Sequence, residues 1–239
     1  MINNASIFAV VPARSGSKGL KGKNMMDFHG RPLIAWSVLA GIRSKYIDKV
    51  LVTTDCTAIE SCAVEYGAVS IGLRPTQLSL DHSPVNAAVE HLLREIKTQS
   101  FGYPTYILLL EPTSPLRTSA DLDAMIELLE SSKSHADAVI SVCEVTEHPS
   151  INQIIADGYL RPYENSKLIS VRRQDCSKLF FPYGLGYLIK TSTFSVENTF
   201  YCERAIPYEI PKWKAFEIDD LDSFRLAEIV FGKILKGCE

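Results

Sequence analysis

Short, unbroken apolar runs recur along this chain, separated by longer segments of helical period, and that alternation restricts the fold more than any other feature. Ile7 to Val11, Lys49 to Thr53, Tyr106 to Leu110 and Ala138 to Val142 are too short for helices and carry no polar stripe. A strand that is apolar on both sides needs cover on both sides. Leu33 to Ile42 reads as a helix started by Pro32, and Thr57 to Tyr66 as a second, stopped by Gly67. Ala87 to Ile96 places Val89, Leu92, Leu93 and Ile96 on one helical face, and Leu122 to Leu129 continues the rhythm. The expectation is an α/β fold, a mostly parallel sheet with helices on both faces.

Past about Glu144 the rhythm breaks. Ile154 to Leu160, centred on Asp157-Gly158, predicts a hairpin. Gly184 to Ile189 reads as a return to the sheet, 198–210 as irregular, Ala215 to Ile218 as a last short strand, and Ser223 to Leu235 as a closing amphipathic helix. No repeat or Pro/Gly/Ser-rich linker divides the 239 residues, and 46% apolar content is ample for one core. A single domain over 1–239, with an excursion near 145–205, is the simplest organisation.

Charge and composition remove several classes. A formal net charge of −3 argues against nucleic acid as the main partner, because phosphate-backbone binders carry a basic surplus. No apolar run approaches the roughly 20 residues needed to span a bilayer, so no membrane partner is expected. Met1-Ile2-Asn3-Asn4 lacks the basic region of a signal peptide. Six scattered cysteines form no Cys-x-x-Cys pair. Neither structural zinc nor a disulfide scaffold is expected, and a cytoplasmic location is the default.

Three stretches hold the chemistry. After the first strand, Arg14 to Asn24 packs four cations and three glycines into eleven residues without an acid. Glycines let backbone N–H groups close on an anion, and Arg and Lys neutralise it, so a phosphate-binding loop is the better reading over a solvated basic loop. It is neither a P-loop nor Gly-x-Gly-x-x-Gly. The second stretch, Glu111-Pro112-Thr113-Ser114-Pro115-Leu116-Arg117-Thr118, sets a carboxylate at the end of a buried strand; Thr118 or Ser119 also fits a helix cap. In the third, Phe216-Glu217-Ile218-Asp219-Asp220-Leu221-Asp222, period two puts Glu217 and Asp219 on one side. Clustered carboxylates suit Mg²⁺ bound together with phosphates, whereas Asp222 fits an acidic helix start.

In this order, Ala13-Arg14-Ser15-Gly16-Ser17-Lys18-Gly19 with Lys23-Asn24, Arg74-Pro75, Glu111 to Arg117, Arg173-Gln174 and Ile218-Asp219 resemble the acylneuraminate cytidylyltransferase family. The resemblance covers nearly the whole chain. It implies a Rossmann-like nucleotidyltransferase fold, a homodimer, and Mg²⁺-dependent transfer of CMP from CTP to a nine-carbon 2-keto sugar acid (a nonulosonic acid) of sialic or legionaminic type. By that resemblance Arg14, Ser15, Gly16, Ser17, Lys18, Lys23, Asn24 and Arg74 hold the nucleotide, with Arg14, Lys18 and Asp219 the catalytic set. Arg173, Gln174 and Tyr187 line the sugar pocket, and Glu111 stands with them as a sugar-hydroxyl acceptor or else as a metal ligand. Phe200-Tyr201 reach into the partner subunit's sugar pocket, and Asp219 holds the metal, with Glu217 beside it on the period-two reading. The chain departs from the family where many members carry glutamine at Glu111, and where Ile151 replaces a pocket lysine after His148-Pro149.

The expected mechanism is in-line attack of a sugar hydroxyl on the α-phosphorus with loss of pyrophosphate, driven by positioning and charge neutralisation. His29 and His82 fit turn roles, so no general base is assigned. Two alternatives stay open: activation of an eight-carbon 2-keto acid, as in CMP-Kdo synthetases, and a non-catalytic CTP-binding protein of the same fold. Phe180-Phe181-Pro182-Tyr183-Gly184 reads as an aromatic pocket wall, which leans towards a di-N-acylated, 9-deoxy sugar such as legionaminic acid.

Overall fold

A computed structural model describes residues 5–16, 19–99, 101–163 and 176–234. Seven strands form one mixed sheet: β1 (Ile7–Pro12), β4 (Lys49–Thr53), β5 (Val69–Ser70), β6 (Tyr106–Leu109), β7 (Ala138–Glu144), β10 (Phe180–Lys190) and β11 (Ala205–Glu209). Two short hairpins, β2 (Asp27–Phe28) with β3 (Arg31–Pro32) and β8 (Gln153–Ala156) with β9 (Tyr159–Pro162), stand outside it. The sheet order is β11-β7-β10-β6-β1-β4-β5. Within this sheet, among the described residues, only β10 runs antiparallel, to both β6 and β7, and the other pairings are parallel. The expected mostly parallel α/β sheet is therefore present.

Each strand with two apolar faces feeds two cores. Ile7, Ala9 and Val11 of β1 pack with α1 (Leu33–Ile42), α2 (Thr57–Glu65) and α4 (Ser119–Ser132). Phe8 and Val10 face the opposite way, onto Val89, Leu92, Leu93 and Ile96 of α3 (Val85–Thr98) and Phe194 of α5 (Thr191–Glu197). A third cluster joins Phe28, Leu33, Trp36 and Leu116 to Ile218 and to Phe224, Ala227 and Phe231 of α6 (Leu221–Ile234). It clamps the β2–β3 hairpin, and with it the end of the phosphate-loop candidate, onto the closing helix. α1 is apolar nearly all round because sheet and third cluster cover it from two sides.

Helix boundaries follow their local chemistry. Thr118 caps α4 in a reciprocal box with Asp121. Asp157 and Gly158, both at positive φ, close the β8–β9 turn as the Asp-Gly pair predicts.

Three expectations need correction. The segment read as irregular contains β11, a parallel edge strand on β7; Pro207 and its half-exposed pattern hid it. Ala215 to Ile218 is not a strand: a 3₁₀ turn over Lys212–Lys214 leads into an extended segment whose Ile218 N–H donates to Thr113 C=O at 2.9 Å. The period-two alternation there is real, but Phe216 and Ile218 turn towards the third cluster rather than a sheet face. Phe200, expected to reach into a partner subunit, is 3% exposed and packs on Phe194 with ring centroids 4.9 Å apart. Its ring fills the second core. Tyr201 beside it is exposed, edge-on to Tyr187 at 5.9 Å.

Candidate active site

The order of connection reverses between β1 and β6. The chain runs outward from β1 to β4 and β5, then α3 carries it back to β6 on the other flank of β1. Loops beyond two strand ends part at such a point and leave a crevice. A cleft of about 300 Å³ opens there, lined by Ala13, Arg14, Gly19, Lys23 and Asn24 after β1, and by Glu111, Pro112 and Thr113 after β6. Arg74 and Asp219 close its sides, and Leu78, Leu80, Pro84, Val85 and Ala88 give it an apolar end.

One wall is cationic. Arg14 Nη1 contacts Asp81 Oδ1 at 2.5 Å, both partly open to solvent. Lys23 Nζ donates to Ile218 C=O at 2.9 Å and to Asp219 Oδ1 at 3.1 Å. Asn24 is buried and ties the loop to its own start, donating to Arg14 C=O at 3.1 Å. Ser15 fixes the turn through its N–H and hydroxyl, both donating to Asp55 at 2.9 and 2.7 Å. Arg74 is buried, its Nε donating to Ser79 Oγ at 2.9 Å. Gly19 is obligatory for space, since any Cβ there would collide with the backbone carbonyl of Asp219.

The opposite wall is acidic. Glu111 lies against Gly184, where a Cβ would come within 2.5 Å of Glu111 Oε2. Gly184 N–H donates to Glu217 Oε1 at 2.8 Å. Arg117, 4% exposed, is hydrogen-bonded to Ser37, Leu185, Glu111 and Gly184.

Of the sequence-predicted residues, Arg14, Lys23, Asn24, Arg74, Glu111 and Asp219 share this cleft. Glu217 backs it through Gly184, and Ser15 supports it from Asp55. Gly16 has open space around it. Tyr187 is buried beneath, with Phe200 at 6.0 Å. Ser17, Lys18, Arg173 and Gln174 lie outside the described residues. Sequence reasoning missed Asp55, Asp81, Ser79 and Arg117. Asp55 follows the end of β4 as Arg14 follows β1, so the strand-end rule was signal enough to find it.

The cytidylyltransferase family profile matches residues 8–230. The chain belongs to the cytidylyltransferase family. An N-acylneuraminate cytidylyltransferase of Streptococcus agalactiae is 33% identical over 220 residues, covering 90% of this chain and 51% of that protein. A CMP-N,N'-diacetyllegionaminic acid synthase of Legionella pneumophila is 37% identical over 144 residues, 60% of each chain. The chain spans about half the length of the N-acylneuraminate cytidylyltransferases it matches. A solved CMP:2-keto-3-deoxy-manno-octonic acid synthetase complexed with CTP shares the fold, with a TM-score of 0.66 over 97% of this chain and 100% of that one, at 14% identity.

Electrostatics in this cytidylyltransferase cleft divide along the same two walls. Burial pushes the Glu111 carboxyl up to about 7, the charges of Glu217 and Asp219 push the same way, and Arg117 and Lys23 oppose them. Burial also raises Glu217, against the Gly184 N–H that favours its charge. Tyr187 is raised by burial and then by Glu111. Asp55 differs. Burial pushes it up, but the Ser15 hydrogen bonds and the Arg74 charge outweigh that and leave it below the usual carboxylate range. Among the described residues no three His, Cys, Asp or Glu side chains form a metal cage. An Mg²⁺ shared with phosphates needs only one or two carboxylates and keeps its waters. Glu217 and Asp219, all-oxygen donors beside a carboxylate destabilised by their charge, fit that ion.

Proposed function

We propose that this chain transfers CMP from CTP to a nonulosonic acid, releasing pyrophosphate. The observation that carries the reading is the cleft itself, with cations on one wall and carboxylates on the other at a topological switch point, in a chain whose family is cytidylyltransferase. Relatives named for N-acylneuraminate and for diacetyllegionaminic acid supply the substrate class. Arg14 and Lys23, with Lys18 from the same loop, would grip the triphosphate by charge-assisted hydrogen bonds. The apolar end at Leu78, Leu80 and Val85 suits a flat pyrimidine, with Arg74 and Asn24 at its polar edge. Asp219 and Glu217 would hold Mg²⁺, which neutralises charge developing on the phosphates.

The chain's own residues then orient the reaction. A sugar hydroxyl oxygen bonds to the α-phosphorus as the bond from that phosphorus to the bridging oxygen breaks, the hydroxyl proton passes to water, and pyrophosphate leaves with both electrons. Cations already lining the wall would meet the charge of the leaving group. Glu111 and Tyr187, with Arg173 and Gln174, would face the sugar acid. Exposed Phe180 and Phe181, the latter edge-on to Tyr183 at 5.1 Å, favour a sugar with acylated, less hydroxylated substituents, as in legionaminic acid. A homodimer in the cytoplasm completes the reading: the β8–β9 hairpin exposes Ile155, Tyr159 and Leu160, an apolar patch that a second copy would cover.

The test is pyrophosphate release from CTP and Mg²⁺ with a side-by-side panel of sialic, legionaminic, pseudaminic and Kdo acids. Turnover of a nonulosonic acid above Kdo supports the reading. CTP binding without turnover of any acid would make the chain a nucleotide-binding protein instead. Light scattering at assay concentration reads the assembly, and a fully active monomer sinks the dimer.

A further inference from the structure

We infer that Arg117, which lies behind the cleft and meets it through the Glu111 carbonyl, is the residue that positions the acidic wall. The inference rests on the CTP- and Mg²⁺-dependent reading above.

Arg117 is a cation in a place where a cation is costly. Its Nε donates to Leu185 C=O at 2.8 Å, Nη1 to Ser37 Oγ at 2.6 Å, and Nη2 to the carbonyls of Glu111 and Gly184. All four acceptors are neutral. Among the described residues no carboxylate pairs with the guanidinium directly, so an apolar residue with repacked neighbours would serve plain stability as well or better. Three separate elements meet on it instead: α1, the end of β6 and β10.

The β10 contact explains the arrangement. Pairing of β10 with β7 shifts register between Pro182 and Tyr187, which takes the Gly184 and Leu185 carbonyls out of that ladder. Arg117 holds both. Gly184 C=O also accepts from Glu111 N–H at 3.2 Å. The N–H of Gly184 is thereby aimed at Glu217 Oε1, and its missing side chain leaves room for the Glu111 carboxylate. One planar fork of donors therefore fixes two carboxylates that are far apart in sequence. The phosphate-gripping wall, Arg14 and Lys23, shares none of these bonds.

The experiment compares wild type, Arg117→Lys and Ser37→Ala in three measurements. These are CTP affinity in EDTA by calorimetry, Mn²⁺ affinity with CTP present by electron paramagnetic resonance, and pyrophosphate release. Arg117→Lys should weaken Mn²⁺ binding and lower kcat by about 10- to 100-fold, with CTP affinity in EDTA changed by less than about threefold. Ser37→Ala, which removes one of the four acceptors, should shift the same two quantities by about threefold. A folded Arg117→Lys protein with wild-type Mn²⁺ affinity and kcat, and only a lowered Tm, overturns the inference. Should that variant fail to fold, Ser37→Ala decides alone: a lowered Tm with both quantities unchanged overturns it. If wild type releases no pyrophosphate with any acid, the proposed activity fails, while the Mn²⁺ comparison still decides Arg117.

Discussion

The two walls of the cleft are held in opposite ways. At the mouth of the cationic wall Arg14 and Asp81 are both partly solvated, and Lys23 contacts an Asp219 whose side chain is 76% exposed, while Asn24 and Arg74 lie buried behind them. On the acidic wall Glu217 accepts from a backbone N–H, while Glu111 sits against a glycine with no spare space and has its carbonyl held by a buried arginine. On the proposed function an incoming triphosphate would displace Asp81 from Arg14 at little cost, because exposed ion pairs contribute little. The acidic wall instead keeps carboxylates close at an electrostatic cost, which a bound cation would relieve. One wall is built to exchange partners and the other to keep its shape.

The largest effect should follow from emptying the exchangeable wall. Arg14→Ala or Lys23→Ala is expected to lower kcat/KM for CTP by about 10²- to 10³-fold, in line with the loss of one preorganised donor. The melting temperature should hardly move. Lys18→Ala belongs with them by its place in the loop. A collapse in Tm with these variants would show the cationic wall to be structural and would erase the contrast.

Next comes the pH dependence of the fixed wall. The folded state holds Glu111 up to about 7 against an ordinary 4.5. A raised carboxyl favours the folded state fully below its unfolded value and loses that contribution as pH rises through the folded one. Stability should therefore fall between about pH 4.5 and 7, by up to about 3 kcal/mol from this group. Glu111→Gln should flatten that slope. Urea titrations at pH 5 and pH 8 in EDTA measure it, and identical slopes for both proteins would refute the assignment.

Smaller again is the steric constraint. Gly184→Ala sets a Cβ against Glu111 and should cost about 1–3 kcal/mol as overpacking. Adding Glu111→Ala should recover much of that loss, which a double-mutant cycle would show. Additive losses would mean that Gly184 is needed for something other than room.

How much of this was legible follows the same division. Strands β1, β4, β6 and β7 announced themselves because both faces are buried, and an all-apolar run is a direct imprint of that burial. β11 left no such mark, being half-exposed and interrupted by Pro207. Glu217 and Asp219 sit close enough for the Asp219 charge to push the Glu217 carboxyl up, although no strand groups them: alternation survives in an extended segment pinned by Ile218 N–H to Thr113. The cationic loop was readable because charges and glycines sit together in sequence. Arg117 was not, because a buried arginine looks like a surface one until its four acceptors, from Ser37 to Leu185, are brought around it. Phe200 misled in the other direction, its place in the core set by Phe194 and Tyr187 rather than by its neighbours in sequence.

The smallest expected effect tests the exchange itself. Asp81→Asn removes the charge that Arg14 contacts at 2.5 Å while keeping the side chain's size. Both side chains are partly open to solvent, so the pair should be worth no more than about 1 kcal/mol to stability. CTP no longer has to displace a carboxylate from Arg14, and its affinity at low salt should rise by about two- to threefold. Screening shortens the reach of exposed charges to about 8 Å at physiological ionic strength, so the gain should shrink as salt is added. Calorimetry at two salt concentrations reads both predictions. Weaker CTP binding in Asp81→Asn would mean that the carboxylate orients Arg14 for the phosphate rather than competing with it, and the cationic wall would then be as preorganised as the acidic one.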